Sequence, residues 1–171
     1  MPEFDLAALA AALDARRLEL GLTWTELAIQ ATDRPGRRSE RRISASTFKG
    51  IGQRSSVRDT VVLQALRWLG RTPESFVPGR GETSGRPVPD DETGRPALDT
   101  QAIYEALDAR RLREGLTWRA VADRLGPGWH PLMLTRLAEG TGIGFPRVMR
   151  IFRWLDRPVA DFVRFVPDEE G

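Results

Sequence analysis

"ALDARRLELGLTW" spans residues 12–24 and "ALDARRLREGLTW" spans residues 106–118, so one segment is written twice, ninety-four positions apart, with two of thirteen positions changed. A segment repeated at fixed spacing implies a supersecondary unit built twice, and that settles the fold before any other feature is read. Gly21 and Gly115 stand where the C-terminal cap of a helix needs a positive φ, and Thr23 and Thr117 follow at N-cap positions. In the first copy Thr23-Trp24-Thr25-Glu26 carries the S/T-x-x-E pattern that satisfies two free backbone donors at once. Each copy therefore predicts one helix that stops at the glycine and a second that starts at Trp24 or Trp118.

Working outward, a slide of 94 aligns Leu13 with Leu107, Gly21 with Gly115 and Trp24 with Trp118. A slide of 86 aligns Arg67-Trp68-Leu69 with Arg153-Trp154-Leu155, and Phe76-Val77 with Phe162-Val163. The eight-residue difference is an insertion in copy one between Thr32 and Ile43, where "DRPGRRSE" has loop composition. Apolar residues recur at helical spacing: Leu6, Leu9, Leu13 and Leu20 on one stripe, Val62, Leu66 and Leu69 on another, with Val148, Phe152 and Leu155 as the second copy's equivalents. A third helix follows Ser44 as N-cap in copy one, and His130 with Pro131 at N1 in copy two. The "RWL" segments belong to a fourth helix, and Thr72-Pro73-Glu74 and Arg157-Pro158 introduce a short fifth. Strand-like alternation is absent. Residues 79–97, rich in glycine and proline with Val88 as the one large apolar residue, read as a linker whose ends sit roughly 25 Å apart. The expected fold is all-α: two five-helix modules, 1–78 and 98–171, joined by a 79–97 linker that lets them occupy separate places.

Composition narrows the function. The chain has 171 residues, enough for two small cores, and no cysteine, which excludes disulfides and thiolate metal sites. Its longest apolar run, Leu6 to Leu13, is too short to span a bilayer, and no leader-like segment precedes it, so the expectation is a soluble, cytoplasmic protein without membrane partners. Of 26 basic residues 25 are arginine, a bias that points to a bacterial genome rich in G and C. Position carries more meaning than type. From Arg34 to Arg58 there are eight basic residues, Arg34, Arg37, Arg38, Arg41, Arg42, Lys49, Arg54 and Arg58, against Glu40 alone. From Leu98 to the end, 11 basic residues balance 11 acidic ones. One segment of copy one thus holds nearly all the excess positive charge.

"LDARRLREGLTWRAVADRLG", then a short helix ending "LTRLAEG", then "RVMRIFRWLDRPVADFV", resembles the lambda-repressor-like (Cro/C1, XRE-type) helix-turn-helix family, over about 65 residues of copy two and most of copy one. In that family the third helix enters the major groove while the second lies across the backbone. The resemblance implies a double-stranded DNA partner and transcription regulation in the nucleoid, and no cofactor, metal or enzymatic activity. It implies DNA-contacting residues Ser44, Ala45, Ser46, Thr47, Lys49 and Gly50 in copy one, with Arg37, Arg38, Arg41, Arg42 and Arg54 on phosphate. In copy two it implies His130, Pro131, Leu132, Thr135 and Arg136. Trp24 and Trp118 stand where many members have a glutamine, and either donate to phosphate or pack between helices. Where many members pair an arginine with a glutamate at the end of helix three, this chain has Arg17 and Arg111 facing Gly52 and Ala138, leaving Asp14 and Asp108 as local partners.

The two reading helices differ in chemistry. Arg136 suits guanine O6 and N7, and Leu132 a thymine methyl; copy one offers small hydroxyls and one lysine amid arginines that grip phosphate. A single chain carrying both would act as a pseudo-dimer, monomeric or paired further into a homodimer, on an asymmetric site. The rival reading is an adaptor in which one or both modules, above all the second with Leu132 and Met133, bind a protein partner. His130, the only histidine, reads as a helix cap, and Trp129, alone in its turn, as either an exposed contact or packing. No glycine-rich phosphate loop or nucleophile–base pair argues for an enzyme.

Overall fold

The computed structural model describes residues 3–32, 43–89 and 94–167; the arginine-rich insertion with Arg34, Arg37, Arg38, Arg41 and Arg42 lies outside them. Copy one contributes α1 (Leu6–Leu20), α2 (Trp24–Thr32), α3 (Ala45–Lys49) and α4 (Asp59–Leu69). A strand β1 (Gly94–Leu98) leads into copy two, with α5 (Thr100–Glu114), α6 (Trp118–Leu125), α7 (Pro131–Thr135), α8 (Met149–Leu155) and a closing strand β2 (Val163–Pro167). A 3-10 turn follows each third helix, Ile51–Gln53 and Arg136–Glu139, and each fourth helix, Pro73–Phe76 and Val159–Phe162. The molecule is mostly helical, and the fifth helix expected in each copy is the second of these 3-10 turns.

The sequence places its stops where local chemistry demands them. Asp5 and Asp99 cap α1 and α5 by accepting the Ala8 and Ala102 N–H groups at 2.9 and 3.0 Å. Gly21 and Gly115 end those helices at φ of 66° and 65°, in the left-handed region where a side chain would be strained. The Thr23–Glu26 box closes in both directions, at 3.1 Å from the Glu26 N–H and 3.2 Å from the Thr23 N–H, and Thr117 caps α6 at 3.1 Å. Leu9, Leu13, Ile103 and Leu107 are fully buried along the first helices, but Leu20, expected on the same stripe, is 46 % exposed, one turn beyond the end of the core. Trp68 and Trp154 lie at the core's rim rather than inside it. The Trp68 indole N–H donates to Gln30 Oε1 at 3.3 Å, and the Arg110 guanidinium covers the Trp154 ring.

The sheet corrects the all-helical expectation. β1 and β2 pair antiparallel from Gly94 opposite Pro167 to Leu98 opposite Val163. Neither "GRPAL" nor "VRFVP" alternates clearly, because β1 is almost wholly buried and β2 covers it from one side. At Gly94 a Cβ would meet the Val166 carbonyl oxygen at 2.3 Å, so the close strand approach requires glycine there. The strand also reaches across the repeat. β1 packs on α4 of copy one, and the Leu98 N–H donates to the Asp59 carboxylate at 2.8 Å.

The two copies do not hang apart on a flexible tether. Val88 is buried, the Thr72 hydroxyl bonds the Ser84 carbonyl, and Arg86 pairs with Asp161, so residues 84–88 of the segment read as linker are packed down on both sides. The Phe4 ring meets Phe145 edge-on at 5.2 Å and Phe76 at 5.9 Å, while Val57 and Phe145 exchange backbone hydrogen bonds of 2.9 and 2.8 Å. One continuous apolar core runs from α1 through the junction into α8. Among the described residues no helix is long and apolar enough to cross a membrane.

Candidate nucleic-acid interface

The short third helices are held by the same two buried positions in each copy. Phe48 and Ile51 anchor α3 and its following turn, and Leu134 and Leu137 do so for α7. Under the slide of 86 these are equivalent pairs three residues apart, so the opposite face of each rod is turned outward. In copy one Ser44, Ser46, Lys49 and Arg54 are exposed, with Ala45, Thr47 and Gly50 half-buried. In copy two His130, Leu132 and Arg136 are exposed, with Pro131 and Thr135 half-buried. The described residues of each predicted set on the third helices are thus exposed or half-buried, while Arg37, Arg38, Arg41 and Arg42 lie outside the described residues.

The two starts are built differently. Ser44 caps α3 by accepting the Thr47 N–H at 3.2 Å, and its hydroxyl lies 3.1 Å from that of Ser46 and 2.8 Å from that of Thr47. His130 occupies the matching position, but its side chain makes no capping hydrogen bond, correcting the role expected for it. The reason is at the next residue: Pro131 has no N–H and presets the first turn, and the His130 carbonyl accepts the Met133 N–H at 3.1 Å. The imidazole is left exposed beside Leu132, a leucine 56 % open to solvent.

Trp24 and Trp118 brace the motif. The Arg17 guanidinium sits 4.9 Å from the Trp24 ring centre while donating to Asp14 at 2.7 Å and to the Leu22 carbonyl at 2.9 Å. Arg111 repeats this with Trp118, Asp108 at 2.7 Å and the Leu116 carbonyl at 3.1 Å. Tyr104 stacks on Trp118 at 5.4 Å. Each tryptophan therefore fixes the angle between first and second helix from a half-buried position, with at most an edge available to a phosphate. Trp129 is 8 % exposed under the Arg147 guanidinium, so it plugs the turn before α7 and is not an outward contact.

Among the described residues Lys49, Arg54, Arg58 and Arg136 are exposed and enter no ion pair. Arg119 and Arg124 are also exposed, on α6, which packs directly against α7. No family model, no curated protein and no solved structure matches this chain.

Proposed function

We propose that the chain is a sequence-specific double-stranded DNA-binding protein of the lambda-repressor-like helix-turn-helix kind, a transcription regulator whose two copies act as a built-in pseudo-dimer. One observation carries this reading. The same three positions, none of them buried, recur on the third rod of each copy, Ser46, Lys49 and Gly50 in one and Leu132, Thr135 and Arg136 in the other, each rod pinned from behind by an apolar pair. Such a rod can lie in a major groove with its solvent face on base edges, while the second helix crosses the backbone. The rod of copy one carries hydroxyls and Lys49, and the chain just before it carries four arginines, a pattern suited to phosphate grip. The rod of copy two carries a guanidinium and an isobutyl group, a pattern suited to guanine and thymine.

Selection from a random duplex pool tests the reading. The expected product is a non-palindromic motif whose affinity falls about a thousandfold or more between roughly 50 and 200 mM salt. Arg136→Ala should relax preference at one base pair at a cost of about 1–3 kcal/mol, and Lys49→Ala should weaken all sequences alike. Failure to enrich any sequence, with no retardation of duplex at low salt, overturns the proposal. The exposure of Leu132 favours a second reading in which copy two binds a protein. In that case Arg136→Glu leaves DNA affinity unchanged while charge reversal at Arg37, Arg38, Arg41 and Arg42 abolishes it.

A further inference from the structure

The third helix of copy two carries a pair of side chains that copy one lacks. Leu132 is 56 % exposed, and it is the one large apolar side chain exposed on α6 or α7 among the described residues. The Arg136 N–H donates to the Leu132 carbonyl, so the two residues stand one helical turn apart on the same face. Arg136 is exposed as well and enters no ion pair among the described residues. Thr135, beside them, does not compete for a ligand, because its hydroxyl is turned back to the Leu132 carbonyl at 3.3 Å. Leu134 and Leu137 hold the rod from behind, which fixes the pair relative to the body of the molecule. In copy one the equivalent positions are Ser46 and Gly50, which offer neither a branched apolar end nor a charge.

A single open leucine among polar groups suits a particular partner. A protein-docking face needs a contiguous apolar patch of a few hundred Å². Here the exposed neighbours are His130 and Arg136 on either side, Arg119, Asp123 and Arg124 on α6, and Glu139, while Met133 is partly covered. Three guanidiniums outnumber two carboxylates. Such a surface matches an anionic ligand that bears one small apolar group. In the major groove a pyrimidine with a 5-methyl group supplies that group, and a guanine supplies O6 and N7 to a guanidinium. Stacked bases rise by about 3.4 Å along a strand. Cβ atoms one helical turn apart are roughly 5–6 Å from each other, so one isobutyl group and one guanidinium can meet two successive bases.

On the DNA-binding reading above, we propose that copy two reads a two-base step, a 5-methylpyrimidine directly 5′ of a guanine, with Leu132 on the methyl group and Arg136 on the guanine. Thymine and 5-methylcytosine carry that methyl group, and cytosine does not. A site with cytosine before the guanine is therefore bound more tightly once that cytosine is methylated, which makes cytosine methylation a control on binding. Copy one, with Ser46 and Gly50, is indifferent to the mark.

The test uses the full chain and the duplex selected from a random pool, and it locates the step as the one where Arg136→Ala relaxes the preference for guanine. Four duplexes are then compared by fluorescence anisotropy, with thymine, uracil, 5-methylcytosine or cytosine before that guanine. Thymine should bind about fourfold more tightly than uracil, and 5-methylcytosine about fourfold more tightly than cytosine, as burial of one methyl group requires. Leu132→Ala should abolish both ratios and leave the duplexes without the methyl group bound as by wild type. Its side chain is exposed, so the variant keeps the fold. Lys49→Ala should lower all four affinities and preserve both ratios. Duplex binding without a methyl effect, a methyl effect that survives Leu132→Ala, or no step at which Arg136→Ala relaxes guanine overturns this proposal and leaves DNA binding itself standing. Absence of binding to every duplex overturns both.

Discussion

Gly52 sits where the turn after α3 meets α1 most closely: a Cβ there would lie 3.1 Å from the Ala10 Cβ and 3.3 Å from the Ala7 Cα. A side chain here would need α1 to give by a few tenths of an ångström, and Arg17 turns to Asp14 and to the Leu22 carbonyl. Gly52→Ala is expected to destabilise the chain by about 1–3 kcal/mol through overpacking, read as a lower urea midpoint at unchanged slope. Glu74 gives a second prediction. Desolvation raises its carboxyl, opposed by the Val159 and Glu74 backbone N–H groups and by the charges of Arg80 and Arg86. Because the folded chain holds this proton more tightly than the unfolded chain, the group's contribution to stability is fully present below the ordinary carboxylate range and is lost as pH rises through the raised value. Wild type should therefore lose stability relative to Glu74→Gln as pH rises through the weakly acid range. Paired melting curves across pH check the sign, and a gap independent of pH would contradict it.

At the level of elements, α1, α2, α3, α5 and α6 were legible because each starts or stops at residues that act locally. Asp5, Asp99, Thr23, Thr117 and Ser44 cap with their own side chains, and Gly21 and Gly115 stop the chain through their own φ. His130 shows the limit, since the cap position was readable but the proline beside it makes the side chain unnecessary. The sheet was not legible at all. Its strands are separated by the whole of copy two, and β1 is extended because Asp59 and β2 receive it, not because "GRPAL" prefers to be a strand. The outward residues of α3 and α7 followed from the family resemblance, whereas the close approach of Gly85 to the Glu74 carboxyl depends on tertiary packing. A prediction follows for β1. Gly94→Val places a branched side chain where only 2.3 Å separates an ideal Cβ from the Val166 carbonyl oxygen. It should cost about 1–3 kcal/mol or more and speed hydrogen exchange of the β2 amides, while amides of α1 and α2 keep their protection.

Across the whole molecule, the continuous core decides how two copies of one unit work together. Phe4, Phe76 and Phe145 form one aromatic cluster from three parts of the chain, and the Val57–Phe145 exchange, the Asp59–Leu98 bond and the Glu74–Val159 bond all cross between copies. Unfolding should then be a single transition, with tryptophan fluorescence and far-ultraviolet circular dichroism coincident in urea, because neither copy can lose its core without exposing the other's. The same rigidity bears on DNA. Two heads on a slack tether would follow half-sites moved apart, losing only the modest entropy of a longer reach. Heads fused through a core cannot. Inserting two base pairs between the half-sites of the selected motif turns one by about 70° relative to the other, given roughly 10.5 base pairs per turn. A fused pair must then release one head or distort the duplex, so affinity should fall to that of a single half-site. Inserting a full turn restores the facing but adds about 34–36 Å of separation, and affinity should stay low. Recovery of full affinity at the longer spacing would mean that the heads part in solution, and that the shared core opens when DNA is bound.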